Sequence, residues 1–129
     1  MSGRFTHVNL GEVEDQAPKF GYGEFGEARF ARGALDASAT GVSLQRLRPG
    51  VRQAFAHRHQ SAEEVYVVLS GSGRIRLDDE VVELQPLDAI RIAPEVTRQM
   101  EAGPDGLEVL AFGTAHEMSD AELVRDFWT

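Results

Sequence analysis

The chain contains no cysteine among its 129 residues. Disulfide scaffolds, thiolate metal sites and cysteine nucleophiles are therefore excluded. No charged segment followed by an apolar stretch stands near Met1, and no apolar run approaches the ~20 residues that span a bilayer. We therefore expect a soluble, cytoplasmic protein with no membrane partner.

Lysine is almost as scarce, because Lys19 is the only one in the chain. Lysine and arginine together number 13 against 21 acidic residues, which gives a formal net charge of −8. Binding to a phosphate backbone requires a basic surface, so nucleic acid is not an expected partner. Arginine carries nearly all of the positive charge and favours planar, bidentate contacts with carboxylates.

Length and composition indicate one compact domain, since 129 residues that are 42% hydrophobic suit a single core. Glycines alternate with aromatic residues over 20–26, which indicates an irregular N-terminal arm (1–26) packed on a barrel core of about 27–113 or on a second subunit. Many short strands separated by turn signals predict an all-β sandwich or barrel. The predicted strands are 27–31, 41–48, 53–59, 63–69, 73–77, 81–84, 89–92, 97–101 and 107–112.

The C-terminal segment has a different pattern. Ser119 and Glu122 are spaced as a capping box, so we expect a short helix over about 120–128. An apolar stripe on that helix would cover an open end of the barrel; it comprises Leu123, Val124, Phe127 and Trp128. His7 and His116 are expected to be ordinary surface residues.

The segment His57-Arg58-His59 is the most informative part of the chain. Side chains of a strand alternate between faces, so His57 and His59 lie on one face and can chelate one metal ion. Glu64 opens the next apolar, β-branched run and adds a carboxylate. Two imidazoles and one carboxylate are a ligand set that leaves coordination positions open on non-heme iron.

These residues resemble the first motif of the cupin family. Gly50, six residues, His57-x-His59, four residues, Glu64, six residues and Gly71 follow its spacing with one residue in excess. The segment 88–94 followed by Arg98 is similar to the second motif, where the family places its last metal-binding histidine. The resemblance covers about residues 40–113. It implies a double-stranded β-helix (jelly-roll) barrel, a divalent metal site and a homodimer.

No histidine stands in the second motif, and either Arg98 or Gln99 takes the inward position. Arg98 shares a face with the apolar Met100, which favours Arg98. An inward guanidinium repels a divalent ion, unless Arg98 lies further off or an anionic substrate bridges the two. If neither applies, Glu64 pairs with Arg98 in a metal-free polar network.

Two functions remain open at this stage. In the first, His57, His59 and Glu64 bind iron, manganese, nickel or zinc, and a small anionic substrate undergoes oxygenation, isomerisation or elimination. The expected substrate contacts are Arg98, Tyr66, Phe55 and Met100. In the second, the barrel is a metal-free, non-catalytic module that binds a carboxylate or sugar-like molecule. An accessory subunit that pairs through a strand edge ranks below both.

The pair Arg74 and Arg76 also has two interpretations. The two side chains share one face of a strand, opposite Ile75 and Leu77. That face is either solvated, which is the usual case, or part of the mouth of the cavity.

Overall fold

The computed structural model describes residues 3–129 of the chain. Its secondary structure is dominated by strands, and the prediction of an all-β fold is confirmed. The strands are β1 (Gly26–Phe30), β2 (Thr40–Leu47), β3 (Ala56–His59), β4 (Glu64–Leu77), β5 (Glu80–Leu84), β6 (Ala89–Ile92), β7 (Arg98–Thr114) and β8 (Ala121–Val124). A single helical turn, α1 (Arg32–Leu35), and 3-10 turns at Leu10–Glu12, Pro18–Phe20 and Met118–Asp120 complete the regular secondary structure of the described residues.

The strands form one curled antiparallel sheet in the order β1-β2-β7-β3-β8. Strand β4 closes it by pairing with β5, β6 and β7. The first half of β4 pairs with the second half of β7, and the second half of β4 pairs with the first half of β7. These two long strands therefore belong to both walls of the barrel.

The continuity of β4 and β7 differs from the prediction, which divided each of them in two. Gly71 pairs with Leu107 and Gly73 with Ala102, so residues 103–106 of β7 stand opposite Ser72 alone. An irregularity of this kind lets a strand bend sharply without ending. The turn signals at 70–73 and 103–106 thus mark bends within strands and do not end them.

Side chains that alternate inward along these strands fill the barrel. Tyr66 and Val68 of β4 are 3% and 1% exposed, whereas Val65 and Val67, which alternate with them, are only partly buried. The buried core comprises Tyr66, Val68, Ile75, Leu84, Ile92, Met100, Ala102, Leu107, Val109 and Ala111. The core fills the barrel interior next to the end that carries His57 and His59.

The predicted C-terminal helix over 120–128 is wrong. Its place is taken by the turn Met118–Asp120 and by β8, which pairs with β3 from Ala56↔Val124 to His59↔Ala121. A strand edge presents unpaired N–H and C=O groups, and β8 satisfies those of β3. Local capping propensity is outweighed by these tertiary hydrogen bonds.

The residues after β8 lie against arginine side chains on the outside of the barrel. The guanidinium carbons of Arg52 and Arg74 lie 4.4 and 5.2 Å from the centroid of the Trp128 ring, and that of Arg76 lies 4.5 Å from Phe127. Arg74 also bonds Glu101 at 2.6 Å. Arg74 and Arg76 therefore face outward, opposite the fully buried Ile75.

The N-terminal arm packs on the barrel through aromatic contacts. The Tyr22 ring meets that of Phe55 at 5.2 Å between centroids and 61° between planes. Among the described residues, no helix has the length and apolar character needed to cross a membrane.

Candidate metal centre

The barrel brings the two histidines and the glutamate together at one end. Strand β3 carries His57 and His59, and the next strand, β4, begins at Glu64. His57 pairs in register with Arg98 on β7, and Glu64 pairs with Gly113 near the other end of the same strand. Strands β3 and β4 do not pair with each other as a hairpin; each pairs with β7, and this shared partner brings His57, His59, Glu64 and Arg98 together.

Three side-chain nitrogens converge on a single oxygen of Glu64. The distance from Glu64 Oε1 is 3.1 Å to His59 Nε2, 3.8 Å to His57 Nε2 and 4.0 Å to Arg98 Nη1. The ligand atoms of His57, His59 and Glu64 all lie within 4.8 Å of one another. The two imidazole rings stand nearly perpendicular, at 88°, so their nitrogens approach the same space from different directions.

Two buried atoms of the candidate ligands His57, His59 and Glu64 lack hydrogen-bond partners among the described residues. They are His59 Nε2 and Glu64 Oε1, and their 3.1 Å separation is not aligned as a hydrogen bond. Buried polar atoms are normally satisfied, because an unpaired one costs about 1–3 kcal/mol. A cation between an imidazole lone pair and a carboxylate oxygen would satisfy both, so these residues fit a metal ion.

Burial and charge set the protonation of the site. Burial raises the pKa of the Glu64 carboxyl, but His57 and His59 beside it outweigh burial and hold the pKa well below its usual range. Burial also lowers the pKa of His57; Glu64 opposes this effect, and the Arg98 charge adds to it. At neutral pH Glu64 is ionised and His57 is neutral, which are the forms that bind metals.

Asp120 is a residue of the site that the sequence did not reveal. Its Oδ2 lies 3.1 Å from His59 Nδ1, on the side of the ring away from Glu64. Hydrogen bonds from Ser61, and from the backbone of Ala62, hold the pKa of Asp120 below its usual range. Its sequence signal was interpreted as part of a helix cap, and only the pairing of β8 with β3 places it beside His59.

Arg98 lies inside the barrel, as alternation with Met100 predicts. Its side chain is fully buried, with Nη2 donating to Ala93 O at 3.4 Å. The remaining polar atoms, Nε and Nη1, have no hydrogen-bond partner among the described residues. Gln99 is also buried, but its Nε2 donates to Gln53 O at 2.7 Å. The neighbourhood of Glu64 thus contains a guanidinium with free donors.

The other three predicted substrate contacts, Tyr66, Met100 and Phe55, lie in three different surroundings. Tyr66 shares the inner face with Glu64; burial and the Glu64 charge raise the pKa of its hydroxyl, which stays protonated. Met100 is 1% exposed and lies in the apolar core. Phe55 precedes β3 and lines a separate cavity of about 300 Å³ beside Gln99, Phe127 and Trp128, whose lining includes none of the three candidate ligands.

His116 is also closer to the site than the sequence suggested. Its ring packs on that of His59 at 4.7 Å between centroids, and its Nδ1 lies 3.0 Å from Thr114 O. His59, His116 and Asp120 form a second cluster of ligand atoms within 4.8 Å of one another. His116 is still partly exposed, as expected for a surface histidine, but its packing against His59 was not predicted.

Solved structures share the fold over two thirds of the chain or more. The chain is 26% identical to a cupin protein from Bacteroides fragilis, with a TM-score of 0.71 over 96% of this chain and 99% of that one. Oxalate decarboxylase from Bacillus subtilis is 17% identical, with a TM-score of 0.77 over 97% of this chain and 34% of that one. Salicylate 1,2-dioxygenase from Pseudaminobacter salicylatoxidans is 18% identical, with a TM-score of 0.59 over 66% and 25%.

Sequence comparison gives the same family. A curated relative, an uncharacterized protein of Methanocaldococcus jannaschii, is 38% identical over 45 residues, which cover 35% of this chain and 36% of the relative. The match thus spans about a third of that relative's length. The family model of the cupin domain matches residues 43–112, more than half of the chain. The motif, the barrel and this match agree: the chain belongs to the cupin family.

Proposed function

We propose that this cupin binds a divalent metal ion through His57, His59 and Glu64 and acts on a small anionic organic substrate. The observation that carries the proposal is the pair of buried atoms without partners, His59 Nε2 and Glu64 Oε1, 3.1 Å apart. Neutral imidazoles and a carboxylate suit iron, manganese, nickel or zinc. Three protein ligands leave positions open for substrate, as in an oxygenase, isomerase or lyase.

Arg98 supports an anionic substrate. Its Nε and Nη1 are buried donors without partners, and a guanidinium pairs well with a carboxylate. A substrate carboxylate or enolate oxygen placed between Arg98 and the ion would satisfy these donors. It would also offset the repulsion between two positive charges.

The bound ion would supply Lewis-acid polarisation of the substrate, or activation of dioxygen if it is iron. The chain's own residues supply the rest. Arg98 orients the anionic group, and the Tyr66 hydroxyl holds a proton on the Glu64 face of β4. Val68 and Ile92, 1% and 2% exposed, exclude water below the site. Two proteins that share the fold are named for oxalate and salicylate, so small carboxylates are the first substrates to screen.

A metal-free binding module is the second candidate, and one observation favours it. Arg98 Nη1 lies 4.0 Å from Glu64 Oε1, close enough for the guanidinium to take the place of a metal as the partner of the carboxylate. In that state the free Arg98 donors would bind a carboxylate or sugar-like ligand without catalysis.

Metal content of the untagged protein, purified without chelator, separates these functions. We expect about one divalent ion per chain by elemental analysis, and less than about a tenth of that in His57→Ala, which loses one of three ligands. His7→Ala is the matched control, because His7 is exposed and lies outside the cluster. A wild-type protein that stays metal-free after incubation with iron, manganese, nickel and zinc would contradict the metal site and favour the binding module, which a screen of small carboxylates would then test.

We further propose that a second copy of the chain covers the open face of the sheet. On this face Val65 pairs with Phe112 and Phe112 with Val42, while Val67 pairs with Leu110. Leu69 and Phe112 are 41% and 40% exposed. A sheet face in water usually carries polar side chains at these alternate positions, so an apolar face indicates a partner.

The charges around this face favour a second copy over another protein. Arg46 pairs with Glu27 and Glu108 along one side, and Arg91 pairs with Glu63 on another. These two arginines and three carboxylates nearly cancel, whereas the whole chain carries −8, so two copies repel each other less at this face than their net charge implies. An apolar centre with a polar rim is the usual anatomy of such an interface.

Sedimentation equilibrium tests this association. We expect a dimer for the wild type at micromolar concentration and a folded monomer for Phe112→Asp, because two buried carboxylates would meet across the interface. Met118→Asp is the control, since Met118 is 82% exposed in the 3-10 turn Met118–Asp120, outside the strands that form the face. A monomeric wild type, or a dimer that survives Phe112→Asp, contradicts the proposal.

A further inference from the structure

We propose that Asp120 is a positioning residue that fixes the tautomer of His59, so that His59 Nε2 points at the metal position. The effect of Asp120 on metal affinity rests on the proposed function, whereas the assignment of the His59 tautomer does not. Asp120 lies beyond residues 43–112, the part of the chain that the cupin model matches. This part of the site is therefore supplied by the C-terminal segment, outside the family motifs.

The hydrogen bonds of Asp120 define it as an acceptor. Oδ1 accepts from Ser61 N at 3.0 Å and from Ser61 Oγ at 2.6 Å, and Oδ2 accepts from Ala62 N at 3.1 Å. A carboxylate that receives these donors on both oxygens carries no proton of its own to give. The proton in the 3.1 Å contact between Asp120 Oδ2 and His59 Nδ1 must therefore reside on His59 Nδ1.

The opposite ring nitrogen then faces the metal position. With Nδ1 protonated, a neutral His59 presents the lone pair of Nε2 to Glu64 Oε1, 3.1 Å away. Two acceptors at that distance repel each other unless a cation lies between them. A carboxylate behind a ligating imidazole fixes its orientation and raises its basicity, and losing such a partner typically weakens metal binding 10–100-fold.

The strand β8 holds Asp120 in place independently of any metal. Gln60 N donates to Asp120 O at 2.9 Å, and Ala121, the next residue, pairs in register with His59. Further on, Arg52 Nη1 donates to Trp128 O, and its guanidinium stacks on the Trp128 ring. The segment that carries Asp120 is thus anchored at both ends, and the side chain is 10% exposed.

Nitrogen-15 NMR of the histidine rings in metal-free protein tests the tautomer directly. We expect a slowly exchanging Nδ1–H on His59 in the wild type and in Glu122→Ala, and its loss in Asp120→Ala. Glu122 is the matched control, because this carboxylate lies two residues along β8 and pairs with the exposed Arg58. A wild-type His59 protonated at Nε2 alone, with Nδ1 bare, overturns the proposal even if the variants fold poorly.

Metal affinity gives the second readout. Zinc titration of the three folded proteins should give a dissociation constant 10–100-fold weaker for Asp120→Ala than for wild type and unchanged for Glu122→Ala. Affinity of Asp120→Ala within twofold of wild type contradicts the positioning role. A wild type that binds no metal but keeps the His59 Nδ1–H refutes the proposed function and leaves the tautomer assignment standing.

Discussion

Replacing Arg98 with methionine is expected to tighten divalent-metal binding by about 100-fold or more. At ~4 Å and an effective dielectric of about 20, two unit charges interact by roughly 4 kcal/mol, and a divalent ion feels about twice that repulsion. Arg98 Nη1 lies 4.0 Å from Glu64 Oε1, so an ion bound to this oxygen cannot be far from the guanidinium. A 100-fold gain needs about 2.7 kcal/mol, well within this range.

If the protein binds no metal, the same substitution is expected to lower the stability of the fold instead of tightening metal binding. In that state Arg98 is the charge partner of Glu64, and removing one member of a buried pair destabilises a protein by about 3–5 kcal/mol. Methionine fills the space of the arginine stem, so lost packing contributes little. Isothermal titration with zinc and urea unfolding of the metal-free protein measure the two effects.

Arg91→Met is the control for this prediction. Arg91 is paired with Glu63 at 3.2 Å, but its side chain is 66% exposed, and solvent screens such a charge. Its removal should change neither metal affinity nor stability appreciably. Unchanged affinity together with unchanged stability in Arg98→Met would contradict both proposed functions, because Arg98 would then interact with neither ion nor carboxylate.

Replacing Gly71 with alanine is expected to destabilise the fold by about 2–5 kcal/mol. Gly71 has φ +83°, where an alanine costs about 1–2 kcal/mol. Its added Cβ would also stand 2.1 Å from the backbone oxygen of Gly106, and overpacking of this kind costs about 1–3 kcal/mol more. Because β4 and β7 bend here, neither backbone can move without disturbing both walls of the barrel.

Two other glycines separate these contributions. Gly50 has φ +73° but no atom within 4 Å of its built Cβ, and Gly41 has neither a positive φ nor a close neighbour. Gly50→Ala should therefore lose only about 1–2 kcal/mol, and Gly41→Ala should lose less than that. Urea unfolding of the three variants gives the free energies, and a Gly71→Ala variant no less stable than Gly50→Ala would show that the clash is relieved.

The residues of the candidate metal centre were largely predictable from sequence. Alternation along a strand places His57 and His59 on one face, and the short connection to Glu64 brings the carboxylate beside them. The inward position of Arg98 follows from its apolar neighbour on the same face, Met100. These predictions succeed because they depend only on the two-residue period of a strand, which is local.

Predictions that depended on how segments end were less successful. The glycines within 70–73 and 103–106 predict turns that end the strands, but β4 and β7 bend there and continue. A glycine with positive φ permits either outcome, and the choice depends on whether a partner strand continues alongside. For β4 and β7 that partner is the other strand, distant in sequence.

By itself, the sequence determined the all-β class, the exclusion of cysteine chemistry and the candidate ligand set of His57, His59 and Glu64. Only the tertiary structure decided that residues 121–124 form a strand and that Asp120 stands behind His59. The physical reason is the free edge of β3. Its unpaired backbone groups bind whichever segment the barrel brings to them, and this outweighs the helical preference of the C-terminal residues.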